Sequence, residues 1–295
     1  MQHKTLEELH RTLEVCCYVA GAGAFGVFIR WLQDQLAFND AGLAERSFFH
    51  VIVVLYIFAM AFLFLRFIDQ ERNRRRFLPE DFCEALYNPG KLYGILRWVP
   101  GVVVVLGSIL LFAVSEIDED VTMLRVLAAI GLLYGLSYPW YLSLPNNPPL
   151  KRRALVCFVS CIPVIFYATW LIVSYKANAI NSVVWSYAIE FVTICVAMTA
   201  FFRMAGFCFD SANPWRSMFA AMMGCAMCVM TVADARYMGM QLMFLGSAGF
   251  LLLCNWIMFS NLQRSEPQPK QQPDDGFDRL GGSYYAPPDD GFERL

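Results

Sequence analysis

The chain has 295 residues, of which 58% are hydrophobic and only 16% charged, with a formal charge of -2 and a mean hydropathy of +0.46. A soluble domain is typically about 45–50% apolar and roughly 25% charged, so an ordinary soluble fold and disorder throughout are both excluded. The balanced charge offers no basic surface for nucleic acid, and with only three histidines, His3, His10 and His50, chemistry that needs several imidazoles is excluded too.

Residues 1–14 read as a short polar segment. Glu7, Glu8 and Glu14 interrupt the charge pattern of a cleaved signal peptide, so the first apolar stretch is expected to be retained. A helix needs about 20 mostly apolar residues to cross the hydrocarbon core. Eight stretches come near this length: 15–32, 48–68, 94–115, 122–143, 154–175, 183–204, 217–234 and 238–259, the first and seventh being short. Runs such as Val51–Leu55 and Val102–Leu106 are continuously apolar, whereas strands of a membrane barrel alternate. The predicted fold class is therefore all-α, a polytopic integral membrane helix bundle of about eight spans arranged as hairpins over 15–260.

Lys and Arg concentrate in cytoplasmic loops. With eight spans, eighteen of the 23 basic residues fall on one side, among them Arg72, Arg74, Arg75 and Arg76 after the second span and Lys151, Arg152 and Arg153 after the fourth. This places both termini in the cytoplasm. Trp31, Trp170 and Trp185 then lie toward the outer interface, and Trp98, Trp140, Trp215 and Trp256 toward the inner one, where indole rings settle. The loops are short and carry no Asn-x-Ser/Thr acceptor, features compatible with a bacterial plasma membrane. The four arginines at 72–76 are also candidate contacts for anionic lipid.

Residues 77–87 predict a short helix with Leu78, Phe82 and Leu86 on one stripe, suited either to the cytoplasmic leaflet or to packing beneath the bundle. Three cytoplasmic loops end alike, at Asn88-Pro89-Gly90-Lys91, at Asn147-Pro148-Pro149-Leu150-Lys151 and at Asn213-Pro214-Trp215-Arg216. Asn suits a helix N-cap and Pro the first helical position. The recurrence is read equally as duplication of a hairpin or as convergence of helix entrances.

Glu190 is the leading candidate for chemistry. It sits within the sixth predicted span, roughly a third of the way in from the outer surface. An ionisable group at that depth is expected to face water, a substrate or a partner. Its structural alternative is an ion pair with Arg125 or Arg30 at the outer helix ends, or a hydrogen bond to a neighbouring helix. The outer acids Glu116, Asp118, Glu119, Asp120 and Asp234 would make that side electronegative, and Pro163 is placed for a mid-helix kink. Cys225-x-x-Cys228 lies among methionines, which allows a Cu(I) reading. The four-residue spacing of Ala220, Gly224 and Cys228 instead marks a close helix contact, as do the glycines at 21, 23 and 26 and at 131 and 135. No catalytic motif, metal site or cofactor loop is present. Ser247 could act as a nucleophile only if His50 stood beside it.

Residues 261–295 lose their aliphatic character and are expected to be a disordered cytoplasmic tail. Within it, 273–280 recurs as 288–295 with a single change, Asp278 to Glu293. Phe277 and Leu280 in the first copy, and Phe292 and Leu295 in the second, form two anchors that could dock one cytoplasmic protein bivalently. Two functional classes follow: a transporter or permease-like protein for a small solute or ion, with Glu190 lining a polar cavity, or a non-transporting sensor or scaffold subunit that recruits a partner through its tail.

Overall fold

A computed structural model describes residues 6–38, 47–74, 76–88, 90–114, 121–146, 153–178, 187–234 and 237–264. Within them lie eight helices of 17 residues or more: α1 (Leu6–Ala37), α2 (Ser47–Asn73), α5 (Trp98–Val114), α6 (Val121–Ser143), α7 (Arg153–Asn178), α8 (Ala188–Ala205), α9 (Pro214–Thr231) and α10 (Met238–Ser260). Between α2 and α5 lie the two-residue strand β1 (Arg76–Phe77), the single turn α3 (Phe82–Ala85) and α4 (Lys91–Leu96), and β2 (Gln263–Arg264) follows α10. The protein is thus an all-α polytopic helix bundle.

Among the described residues, seven segments are long and apolar enough to cross a membrane, with α4 and α5 counting as one. The eighth long helix, α9, is less apolar for a physical reason. It is walled in by α1, α2, α8 and α10, and every residue from Ala220 to Cys228 is buried. A helix shielded from lipid needs small and flexible side chains that fit its neighbours, and Ala, Gly, Cys and Met supply them. Its 18 residues cover roughly 27 Å, close to the hydrocarbon thickness of about 30 Å.

Consecutive helices pair as antiparallel hairpins, α1 with α2, α5 with α6, α7 with α8 and α9 with α10. The last six also close a ring: each of α5 to α10 packs on the next, and α10 returns to α5. The α1–α2 hairpin lies outside, with α1 against α9 and α10. Backbones approach closely at the α5–α10 seam, where a Cβ on Gly107 would sit 2.6 Å from the Gly239 carbonyl oxygen. Only glycine permits that backbone contact. The outer surface carries lipid-facing side chains such as Phe28, Leu55, Phe58, Phe62, Val102 and Ile109, so the bundle contacts a bilayer.

Several contacts join helix ends at one pole. Arg11 of α1 reaches Glu71 of α2 at 3.7 Å, Tyr141 of α6 donates to the Met204 carbonyl of α8 at 3.1 Å, and Ser217 of α9 donates to the Arg203 carbonyl at 3.1 Å. Asn261, just past α10, donates to the Ala85 and Tyr87 carbonyls at 3.0 and 2.9 Å. The start of α1 and the end of α10 therefore share one pole, together with Arg72, Arg74 and Arg76.

The stripe at 78–86 packs beneath the bundle at this pole. Leu78, Phe82 and Leu86 are buried, and the Phe82 ring lies 5.3 Å from Tyr141. The helix there shortens to one turn, capped by Asp81, whose carboxylate accepts from the Cys83 and Glu84 amides at 2.9 and 3.2 Å. Asn213 caps α9 as its spacing suggested, accepting from the Arg216 amide at 3.3 Å. Asn88 accepts from the Gly90 amide at 3.2 Å, which turns the chain into α4. The middle copy of that pattern, at 147–151, lies outside the described residues.

Candidate functional site

At the pole opposite the arginines, the end of α7 and the starts of α6, α8 and α10 surround a cavity of about 250 Å³. Glu190 lines it, 8% exposed. The helix α8 begins at Ala188, five residues later than the apolar run suggested. Glu190 consequently occupies the first turn of α8 rather than a position a third of the way along. In the first turn its carboxylate lies among free backbone N–H groups, where negative charge is favourable.

Ser174 of α7 donates its hydroxyl to Glu190 Oε1 at 2.9 Å. One turn on, the Asn178 amide donates to the Ser174 carbonyl at 2.9 Å, which fixes that end of α7. Lys176 and Tyr237 complete the polar part of the lining, with Met123, Leu124, Val173 and Met240 as the apolar part. Arg125 stands elsewhere: its guanidinium carbon lies 5.8 Å above the Phe112 ring centre, a cation–π geometry.

Beneath this vestibule the ring is filled by aromatic side chains. Trp170 and Phe244 lie 4.3 Å apart between ring centres, Tyr134 and Phe166 stack at 4.3 Å, and Tyr138 and Phe250 stack at 4.0 Å. Ser247 ties the stack together. It takes Tyr134 at 2.7 Å and Tyr138 at 3.5 Å while donating to the Met243 carbonyl at 2.7 Å, which uses its one proton and both lone pairs. Thr193 and Thr231 pair at 2.6 Å. Ser247 is therefore committed to tyrosines, and His50 is not beside it.

His50 belongs to a second polar group at the vestibule pole. Arg30 of α1, 5% exposed, is paired with Asp234 just after α9 at 2.7 Å. The same guanidinium donates to Gln33, whose amide meets His50 Nδ1 of α2. This chain of contacts joins α1, α2 and α9. The sequence offered Arg30 as a partner for Glu190, whereas the structure pairs it with Asp234. Their 204-residue separation leaves no local signal, and only the packing of α1 on α9 brings them together.

At the opposite pole Glu71, 2% exposed, lies under Arg74 at 3.2 Å and Arg76 at 3.5 Å besides Arg11. Two of the four arginines singled out in the sequence thus hold a buried carboxylate. Arg72 is exposed, and Arg75 lies outside the described residues. Cys83 nearby is pushed above the usual thiol range by burial, and then by the Asp81 and Glu84 carboxylates. On α9, a Cβ at Gly224 would meet Leu251 at 2.9 Å and Ala200 at 3.0 Å, so the cysteine-bearing helix has its small-residue face against α10 and α8. The docking residues Phe277, Leu280, Phe292 and Leu295 lie outside the described residues.

No protein-family model matches the chain, and neither a curated protein nor a solved structure does. Its geometry therefore has to carry the functional reading.

Proposed function

We propose that this multi-pass membrane protein is transporter-like and takes a small amine-bearing solute at the outer face of a plasma membrane. The observation that carries the reading is the cavity of about 250 Å³ with Glu190 and Lys176 in its lining. A buried carboxylate held by Ser174 supplies a counter-charge for an ammonium group, and Lys176 suits an acidic group on the same solute, so a small zwitterion fits best. The cavity sits at the pole away from Arg72, Arg74 and Arg76, which by the distribution of basic residues is the outer pole. The aromatic fill beneath it blocks a continuous pore, so passage requires the rings to part. Pro139 and Pro163 interrupt the hydrogen-bond ladders of α6 and α7 beside these rings, which makes those helices the natural hinges.

The test is saturable binding and proteoliposome uptake of radiolabelled small amino acids and amines. Glu190→Gln is expected to lower binding at least tenfold while the bundle melts as wild type. If wild-type protein binds none of the panel, or if Glu190→Gln binds as well as wild type, the reading fails. The duplicated motif in the sequence favours a second reading, a membrane subunit that recruits a cytoplasmic protein through 273–295. Deleting those residues is then expected to abolish partner capture and to leave solute binding unchanged.

A further inference from the structure

A groove of about 920 Å³, larger than the vestibule, lies between α1 and α2 and is floored by Met222 of α9. The two helices touch at the groove's flanks. The Tyr56 hydroxyl donates to the Ala22 carbonyl, and Arg11 meets Glu71. Between these contacts Gly21 lines the groove and would have nothing within 4 Å of a Cβ. On α2 the lining runs from Tyr56 to Asn73, roughly 25 Å along the axis at 1.5 Å per residue. Half of a bilayer, headgroups included, is roughly 20–22 Å, so the groove has the length of one lipid in one leaflet.

Its polarity is graded in the same direction. Val15, Tyr18, Phe25, Met60, Leu63 and Phe64 line the body, and Arg66, Asp69, Gln70 and Asn73 line the mouth at the arginine-rich pole. Arg66 and Asp69 are three residues apart on one helix face, with Arg66 deeper by roughly 4.5 Å. Neither takes part in an ion pair among the described residues; Asp69 accepts only from Asn73, at a long 3.4 Å. In a phospholipid the phosphate lies next to the acyl chains and a headgroup amine lies farther out. That order, anion deep and cation shallow, is the complement of Arg66 deep and Asp69 shallow.

We infer that the α1–α2 groove holds a phospholipid with a zwitterionic, amine-bearing headgroup, its phosphate on Arg66 and its ammonium on Asp69. A headgroup without an amine would leave Asp69 facing a second negative charge.

The experiment uses the full-length protein released from nanodiscs of equimolar phosphatidylethanolamine and phosphatidylglycerol with identical acyl chains, read by native mass spectrometry. Wild type is expected to retain one phosphatidylethanolamine, at least fivefold over phosphatidylglycerol. Asp69→Asn should bring that ratio near one, and Arg66→Gln should lower retention of both lipids at least fivefold. Gly21→Leu, which fills the groove without touching its charges, should lower retention while circular dichroism and melting stay as in wild type. The inference is overturned if wild type retains no lipid, if it retains both equally, if the ratio is the same in Asp69→Asn, or if a protein dimer persists where lipid was expected.

Discussion

The buried charges and amides carry the sharpest consequences for single residues. Arg30 sits in the bundle with Asp234 as its counter-ion, and removing one partner of such a pair typically costs about 3–5 kcal/mol because the other charge is stranded. Asp234→Leu is expected to lower the melting temperature in detergent markedly, and Asp234→Asn, which keeps a hydrogen-bond acceptor for the guanidinium, to lower it less. The double variant Arg30→Met with Asp234→Leu should recover most of the loss, since a well-packed apolar pair replaces an ion pair at little net cost. Asn255 of α10 is the opposite case. It is 0% exposed, and neither atom of its amide has a hydrogen-bond partner among the described residues. An unsatisfied buried polar group is worth about 1–3 kcal/mol against the fold, so Asn255→Leu should raise the melting temperature. Cys83, with its thiol shifted upward, holds less thiolate at a given pH than a free cysteine. Its alkylation at pH 7.5, followed on its own peptide by mass spectrometry, should be slower than that of a free peptide thiol and should climb as pH rises. The sequence pointed to Glu190 as a residue but not to its surroundings. Ser174 and Lys176 lie 16 and 14 positions away along the chain, on another helix and beyond any sequence period, so only the folded α7–α8 hairpin reveals the cavity they share.

At the scale of elements, the sequence made the long apolar helices legible because a bilayer imposes length and composition on anything that crosses it. Helix ends were less legible. The apolar run containing Glu190 began at 183, yet α8 starts at Ala188; hydropathy measures preference for lipid and does not sense where backbone hydrogen bonding begins. The stripe at 78–86 was readable as apolar, but only the position of α3 under Tyr141 decides between leaflet and bundle. The α5–α10 seam makes an element-level prediction. With a Cβ at Gly107 only 2.6 Å from a backbone oxygen that cannot yield, Gly107→Leu must push the two helices apart, at a cost of about 1–3 kcal/mol or more. The same change at Gly21, where space is open, should leave stability unaltered. Thermal melts of the two variants side by side measure the contrast.

For the whole molecule, closure of the ring by α10 against α5 is a feature the sequence could not show. Periodicity identifies faces that want partners, and nothing local says that the partner of α5 is the last helix rather than only its neighbour α6. Eight spans would put the start of α1 and the end of α10 on one side; Arg11 and Asn261 both engage the pole that carries Glu71 and Ala85, and seven segments among the described residues are long and apolar enough to cross a membrane. Cysteines introduced singly at exposed Arg72 and at exposed Lys176 should react with an impermeant maleimide from opposite sides of sealed cells, with Arg72 protected until permeabilisation. Ring closure also sets a timetable for biogenesis. Translation proceeds at about 5–20 residues per second, so on the order of 6–25 s separate emergence of the end of α5 at Val114 from that of α10 at Met238. Throughout that interval the glycine face of α5 stands without its final neighbour. A nascent bundle stalled before α10 is therefore an open horseshoe, the form in which insertion factors and quality-control proteases would first meet it.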